Sequence, residues 1–562
     1  MSKMKPKFGR REFIRSVGIG TMSWALSPGG KDLPGLTLGR VKPKPPNIVL
    51  ILADDMGYSD IGCFGGEMRT PNIDRLAKNG LRFTCFHNTA RCCPSRASLL
   101  TGLYPHQTGI GNMMNDQGLD GYRGDLNDRC VTIAEVMRAT GYSTYMTGKW
   151  HVTRFLDPDG PKHNWPLQRG FDRYFGTITG AGSYYEPDTL TDDNTQVEPP
   201  PGFFYTDAVA DHAATFIREH LRTQPEKPFF SYVAFTSPHW PLHAPEEDIA
   251  LYKGRFDKGW DVLRAERYDR MRTMGIIDKR WKLTERDSHV PPWDQAEHKD
   301  WQLRRMEVYA AQVDRMDRGI GRIVAELEAG GVLDDTLIFF LSDNGGCHEE
   351  LTESWNAYLI NGKERVARKT TRDGKPVRFD NNPEVMPGPS DTYQSYGYPW
   401  ANVSNTPFRL FKTWAHEGGV ATPLVVHWPG RIKPSGEFRR QLGHIIDVMA
   451  TCVDVSGAAY PTELGENKIQ PMEGRSLVGA FSGRPVDREA IYCEHEGNRA
   501  VITEKRKLVA RGPKGAWELY DMEADRTETN DIAGKNPDLV RRMADMWEAW
   551  AKRTRVLPWP WK

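Results

Sequence analysis

This 562-residue sequence has almost no excess charge: 75 lysines and arginines face 74 aspartates and glutamates, leaving a formal net charge of +1. A protein whose main partner is nucleic acid normally carries a basic surplus to neutralise phosphates, so that class is excluded, although local basic pockets for small anions are not. Cysteine is sparse and unpatterned. The eight cysteines include no Cys-x-x-Cys, which argues against a thiolate zinc site. Six of them (Cys63, Cys85, Cys130, Cys347, Cys452 and Cys493) are scattered and outline no disulfide framework. Only Cys92 and Cys93 adjoin, and vicinal pairs are too strained to form a stable disulfide readily. No apolar run is long enough to span a bilayer. There is no Gly-x-Ser-x-Gly, which disfavours a serine hydrolase of the α/β type, and no internal repeat or coiled-coil heptad.

What is present begins with a basic N-terminus. Arg10-Arg11-Glu12-Phe13 precedes a short, mildly apolar run at 17–26 and then Ser27-Pro28-Gly29-Gly30. The paired arginines resemble a twin-arginine export signal, so residues 1–30 are read as a targeting segment, with export machinery as a partner and a periplasmic or extracellular destination. A Pro/Gly-rich linker follows over 31–45. The remaining length suits one large domain, 46–477, and a smaller one, 478–562.

The large region alternates short apolar runs with amphipathic segments. Asn47–Ala53, Tyr142–Thr147, Phe229–Phe235, Thr336–Leu341 and Pro423–His427 read as strands buried on both faces. Val131–Thr140, Thr206–Leu221 and Met306–Ala329 read as helices. The predicted fold is α/β: a large mixed, mostly parallel sheet sandwiched by helices. Two polar stretches, 252–299 and 349–404, interrupt the rhythm and read as insertions over the site. Beyond residue 477, four short strand candidates and a helix over Asp538–Thr554 predict an α+β domain with an antiparallel sheet. Functional chemistry is concentrated at strand exits: Asp54 and Asp55, Lys149 and His151, His239, and Asp343 with Asn344 each follow an apolar run. In an open parallel sheet those exits share one edge, where ligands bind.

The segment Cys92-Cys93-Pro94-Ser95-Arg96, followed by Thr101-Gly102, closely resembles the signature of the type I sulfatases, in which the first cysteine is oxidised to formylglycine. Gly148-Lys149-Trp150-His151, Ser237-Pro238-His239, Ser342-Asp343-Asn344-Gly345-Gly346 and Asn405–Lys412 resemble other motifs of that family, within the alkaline phosphatase superfamily. The likeness, closest to bacterial arylsulfatases, runs from about Pro46 to the C-terminus. It implies hydrolysis of sulfate monoesters by a formylglycine hydrate made from Cys92. One hydroxyl of the hydrate attacks sulfur; the other loses its proton to expel sulfate. By resemblance, Asp54, Asp55, Asp343 and Asn344, with residue 92, hold one Ca2+, and Mg2+ suits the same oxygen donors. Lys149 and Lys412 neutralise sulfate charge. His151 takes the proton that releases sulfate, His239 protonates the leaving alcohol or binds the sulfate ester, and Arg96 supports the hydrate and the carboxylates.

The implied partners are an aryl or carbohydrate sulfate ester and a formylglycine-generating maturation enzyme. Two alternatives stay open: a phosphonate monoester or phosphodiester hydrolase of the same superfamily, and a non-catalytic binder of sulfated glycans. His106, His243, His348 and His416 read as structural by default, with His243 and His348 close enough to the pocket to touch substrate. Trp260, Trp281, Trp293, Trp355, Tyr358, Tyr398 and Trp400 either stack on the substrate or pack the insertions together.

Overall fold

A computed structural model of the chain describes residues 44–561 except 356, 357, 359 and 361. The targeting segment and all but the last two residues of the linker read from the sequence lie outside the described residues. The central sheet has eleven strands among the described residues. They are β1 (Asn47–Ala53), β2 (Leu81–His87), β3 (Ser143–Lys149), β4 (Arg173–Thr177), β5 (Leu190–Asp192), β6 (Thr195–Gln196), β7 (Phe229–Ala234), β8 (Thr336–Ser342), β9 (Ala421–His427), β10 (Glu437–Arg439) and β11 (Gly443–His444). Their order is β10-β2-β9-β8-β1-β7-β3-β4-β5-β6, with β11 also on β2. The run β8-β1-β7-β3-β4 is parallel, and β9 is antiparallel to both β8 and β2.

Successive side chains of a strand point to opposite faces, and the apolar strands use both. Ile48, Leu50 and Leu52 of β1, with Leu337, Phe339 and Leu341 of β8, enter one core. Val49, Ile51 and Ala53, with Ile338 and Phe340, enter the other. The first core is covered by α2 (Cys92–Thr101), α3 (Ile133–Ala139) and α7 (Asp447–Ser456), and the second by α1 (Pro71–Lys78), α4 (Tyr205–Thr223) and α6 (Lys299–Ala329). Strands β2, β4, β5, β6, β10 and β11 were not expected. Leu81-Arg82-Phe83-Thr84-Cys85 mixes polar residues into its apolar pattern because β2 lies away from the doubly covered centre, where Arg82 and Cys85 are only partly buried. The insertion at 252–299 contains a helix, α5 (Gly259–Met274), whose Trp260 packs edge-on against Trp293 and Trp400. Those three rings therefore join the two insertions to each other.

The C-terminal layer is a four-stranded antiparallel sheet, β12 (Ile491–His495), β13 (Asn498–Ile502), β14 (Arg506–Ala510) and β15 (Glu518–Asp521), with α8 (Pro537–Arg553) packed on it. It is bound to the main sheet through buried charge. The fully buried Lys507 ammonium ion-pairs with Glu417 and Glu528 at 2.8 Å each. Glu417 also accepts from Arg526 at 2.7 Å and faces His87 at 3.2 Å. Among the described residues, no helix is long and apolar enough to cross a membrane. Replacing Lys507 by methionine leaves two buried carboxylates undercompensated, an arrangement that typically costs about 3 kcal/mol. We expect Lys507→Met to lower the urea midpoint accordingly, and Lys507→Arg to lose less.

Candidate active site

The parallel strands deliver four sets of polar side chains to one edge. Asp54 and Asp55 leave β1, Lys149 ends β3 with His151 just beyond, His239 follows β7, and Asp343 and Asn344 follow β8. Strand β2 runs in the same direction as β8, since β9 opposes both. Its exit therefore reaches the same edge and leads through residues 88–91 into α2, whose first residue is Cys92. Because β9 is antiparallel, it is the segment before it that lies at this edge, and that segment carries Lys412. The turns are tight. Asp55 (φ 62°), His151 (φ 55°), Leu410 (φ 65°) and Thr413 (φ 89°) all take the left-handed conformation, which costs non-glycine residues about 1–3 kcal/mol and persists where the surroundings fix it. Gly180 makes room for His151: a Cβ there would sit 2.2 Å from its Nε2.

The side chains form one buried charge network. Lys149 Nζ donates to Asp54 Oδ2 at 2.5 Å. Arg96 donates to Asp343 Oδ2 through Nε (3.0 Å) and Nη2 (2.8 Å), lies 3.6 Å from Asp54 Oδ2, and holds the Lys149 carbonyl through Nη1. Lys412 Nζ donates to Asp55 Oδ2 at 2.9 Å. Asn344 Nδ2 donates to Asp55 Oδ1 at 2.6 Å, and the Asp55 amide donates to Asp343 Oδ1. Two oxygens remain: Asp54 Oδ1 and Asn344 Oδ1 are buried without a hydrogen-bond partner. Burial, then the neighbouring Asp343 carboxylate, hold Asp54 well above the usual carboxylate range. Unsatisfied buried oxygens, and a carboxyl whose anion burial disfavours, are what a hard cation would relieve. Oxygens of Asp54 and Asp55 and a ring nitrogen of His239 lie within 4.8 Å of one another, so the donor set fits a divalent ion.

Cys92 is 2% exposed. Its thiol is held well below the ordinary range, first by the hydrogen bond from Cys93 and then, against burial, by the fields of Lys149 and His151. Sulfurs of Cys92 and Cys93 and a nitrogen of His151 lie within 4.8 Å of one another. Both ring nitrogens of His151 are otherwise unpartnered. His239 Nδ1 donates to the Trp240 carbonyl, 2.6 Å away, which leaves Nε2 without its own proton, 3.4 Å from Lys412 Nζ and 3.2 Å from Asp55 Oδ2. Burial brings His239 down to about 3, so it is neutral at ordinary pH. Together these groups can bind a tetrahedral oxyanion above residue 92, supply two neutral imidazoles and hold a metal beneath.

Two residues of the site escaped the sequence reading. Glu349 accepts from Arg91 Nη1 and from Trp240 Nε1 at 2.8 Å each and lies 3.6 Å from Lys412 Nζ. Burial opposes its ionisation, but Lys412 and Arg91 hold it well below the usual range. Arg91 directly precedes Cys92 and Glu349 lies three residues after Gly346, and that nearness to recognised motifs was the available signal. The default histidines are engaged elsewhere: His106 with Glu494 at 2.7 Å, His416 with Glu518 at 3.3 Å, and His348 stacked on Phe411. His243 is fully buried, donating to the Thr392 carbonyl and accepting from the Tyr184 amide. Neither His243 nor His348 lines the cavity above Cys92.

The family model described as Sulfatase matches residues 46–458, and one described as N-sulphoglucosamine sulphohydrolase, C-terminal, matches 408–552. The chain is 33% identical to an uncharacterized sulfatase of Schizosaccharomyces pombe, over 92% of this chain and 95% of that protein. It is 32% identical to an arylsulfatase of Klebsiella aerogenes, over 79% of this chain and 94% of that one. The crystal structure of Ps i-CgsB in complex with k-i-k-neocarrahexaose superposes with a TM-score of 0.62 at 26% identity, covering 90% of this chain and 93% of that chain.

Burial lowers His243 from 6.5 to about 4. Between those values the unfolded chain binds a proton that the folded chain refuses. The stability due to this group is therefore complete above about pH 6.5 and is lost as pH falls toward 4. We expect the urea midpoint to drop between pH 7 and 5, with about 2 kcal/mol of the loss due to His243, and His243→Gln to shrink that drop.

Proposed function

The chain belongs to the sulfatase family, enzymes that hydrolyse sulfate esters, and on that premise we propose that it cleaves sulfate monoesters of aryl or carbohydrate alcohols through a formylglycine made from Cys92. The observation that carries the reading is the convergence of two lysines, two histidines, an arginine and three carboxylates on the first residue of α2. The full set of cations around one nucleophile position favours an enzyme over a non-catalytic glycan binder.

A hydrated aldehyde at residue 92 would supply one hydroxyl to attack sulfur and a second whose deprotonation expels sulfate. Asp54, Asp55, Asp343 and Asn344, with residue 92, would hold Ca2+ (Mg2+ suits the same donors), and the ion would supply charge that activates a hydroxyl and polarises the sulfuryl group. Lys149 and Lys412 sit where they would compensate charge gathering on the sulfuryl oxygens. His151, with both ring nitrogens free of protein partners, would take the proton that triggers sulfate release. His239 would present Nε2 to the leaving oxygen. Since it is neutral, it can serve as the acid only after gaining a proton within the reaction; otherwise it binds the ester oxygen. Arg96 fixes Asp343 and the Lys149 carbonyl together, and so sets the spacing of the floor.

Burial of Cys92 at 2% exposure supports modification before folding, by a maturation enzyme acting on the nascent or unfolded chain in the cytoplasm. Export by a twin-arginine-like signal in residues 1–30 to the periplasm or beyond would then carry a folded, mature protein. The assigned domain division, 46–477 and 478–562, keeps the nucleophile and metal residues in the first part.

Mass spectrometry of the tryptic peptide Cys92–Arg96, from a host that matures such enzymes, should show the lighter aldehyde form, reactive to hydrazides; thiol alone would remove the mechanism. His239→Ala should lower kcat about 100-fold or more with an unactivated ester. Excess Ca2+ should raise the melting temperature of chelator-treated protein, by an amount equivalent to about 2.7 kcal/mol at 100 times Kd. Asp54→Asn should abolish that rise.

A further inference from the structure

Resting on the sulfatase reading, we infer that the alcohol half of the substrate is a ring-bearing group without negative charge, and that the carboxylates of Glu364 and Glu496 make the entrance selective against polyanionic esters.

The cavity above Cys92 has His151, His239 and Lys412 among its floor residues, and Met113, Trp240 and Trp355 among its walls. It continues outward into a wider hollow that shares Arg91, Met113, Trp355, Tyr358 and Glu364 with it and adds Asn112, Asn115, Ser354 and Glu496. Sulfate charge is matched at the bottom, so whatever is esterified to it must leave through this passage. That the passage receives a ligand has a separate sign: His151 is 2% exposed, lines the cavity, and has no hydrogen-bond partner on either ring nitrogen. The walls are indole rings and a thioether, surfaces that accept the face of an aryl or sugar ring.

The charge of the passage is not balanced. Arg91 is already committed, donating to Glu349 at 2.8 Å and to Thr413 Oγ1 at 3.1 Å. Lys412 is committed to Asp55. Glu364 accepts from the Tyr358 hydroxyl at 2.5 Å, and among the described residues no cation lies within 4.0 Å of it. Glu496 has no ion-pair partner nearer than His495 Nε2, at 3.9 Å; burial lowers His495 and so disfavours its charged form, and Arg91 feels Glu496 after the closer Glu349. Two carboxylates are therefore left facing the route with no cation of their own. A second sulfate or a uronate on the alcohol would be brought near them, and like charges repel, most at low ionic strength. An ammonium or a neutral hydroxyl would not.

Glu496 belongs to the C-terminal layer. It sits in the tight turn between β12 and β13, with φ 51° followed by φ 80° at Gly497. The turn is tied to the site: Asn498 Nδ2 donates to the Thr413 carbonyl, and the Thr413 amide donates to the carbonyl of Ala90. The small sheet thus places a selecting charge beside the segments that carry Lys412 and residue 92.

The test uses the mature enzyme and three phenyl sulfates that differ only in the para group: aminomethyl, hydroxymethyl and carboxymethyl. At low ionic strength kcat/KM should fall in that order, with about tenfold or more between the cationic and anionic esters, and the gap should narrow as salt is added. Glu364→Gln and Glu496→Gln should each raise the anionic-to-neutral ratio of kcat/KM. Equal kcat/KM for the three esters, or ratios unmoved in both variants, would overturn the inference while leaving the sulfatase reading intact. Failure of an aldehyde-bearing enzyme to release sulfate from any of the three or from monosaccharide sulfates would overturn the sulfatase reading, and this inference with it.

Discussion

Two adjacent carboxylates at the end of a central strand set the terms for this protein. Asp54 and Asp55 are 0% and 1% exposed, and a buried carboxylate is costly unless opposite charge and hydrogen bonds surround it. Nearly every feature of the catalytic edge answers that demand. Lys149 and Arg96 lie against Asp54, Lys412 and Asn344 against Asp55. Each comes from a different segment of the chain. The compensation is incomplete, since Asp54 Oδ1 and Asn344 Oδ1 stay unpartnered. A fully compensated cluster would leave neither a cation nor a sulfate anything to bind.

Much of this was legible in the sequence because the signals are local. Continuous apolar runs at 47–53, 229–235 and 336–341 mark strands covered on both faces, and a polar residue just after such a run has only one place to go. The motif at 92–102, which carries the proposed nucleophile, is legible as a family likeness for the same reason, being a short continuous stretch. What was illegible depends on contacts between distant segments. Strand β2 mixes polar residues into its pattern because it lies beyond the covered centre. Glu349 looks like one more acidic residue in a polar insertion until its partners, Arg91 and Trp240, are seen to come from 258 and 109 positions away. Nothing in the segment around Lys412 reveals that the strand after it runs antiparallel, which is why its beginning meets the exits of the others.

The added layers do more than cover the sheet. Trp260, Trp293 and Trp400 pack with each other and hold the two insertions together, while Trp355 and Tyr358 are left to line the passage. One aromatic set therefore fixes the scaffold and another meets the ligand, though the sequence gives both the same appearance. The C-terminal sheet is anchored by Lys507 between Glu417 and Glu528, and Glu417 is only five residues past Lys412. An anchor this close to Lys412 couples the seating of that sheet to the geometry of the floor.

The burial of residue 92 has a consequence for how a population of these molecules behaves over time. A side chain 2% exposed at the start of a packed helix is out of reach of any second protein once folding is complete. If the proposed conversion of Cys92 is what activates the enzyme, a chain that folds with its thiol intact has no later opportunity to be corrected short of unfolding. Specific activity is then an inherited property, settled for each molecule during its synthesis and carried unchanged until it is degraded. Two preparations of identical fold and stability can differ severalfold in turnover, and the difference records the conditions in which their chains were made.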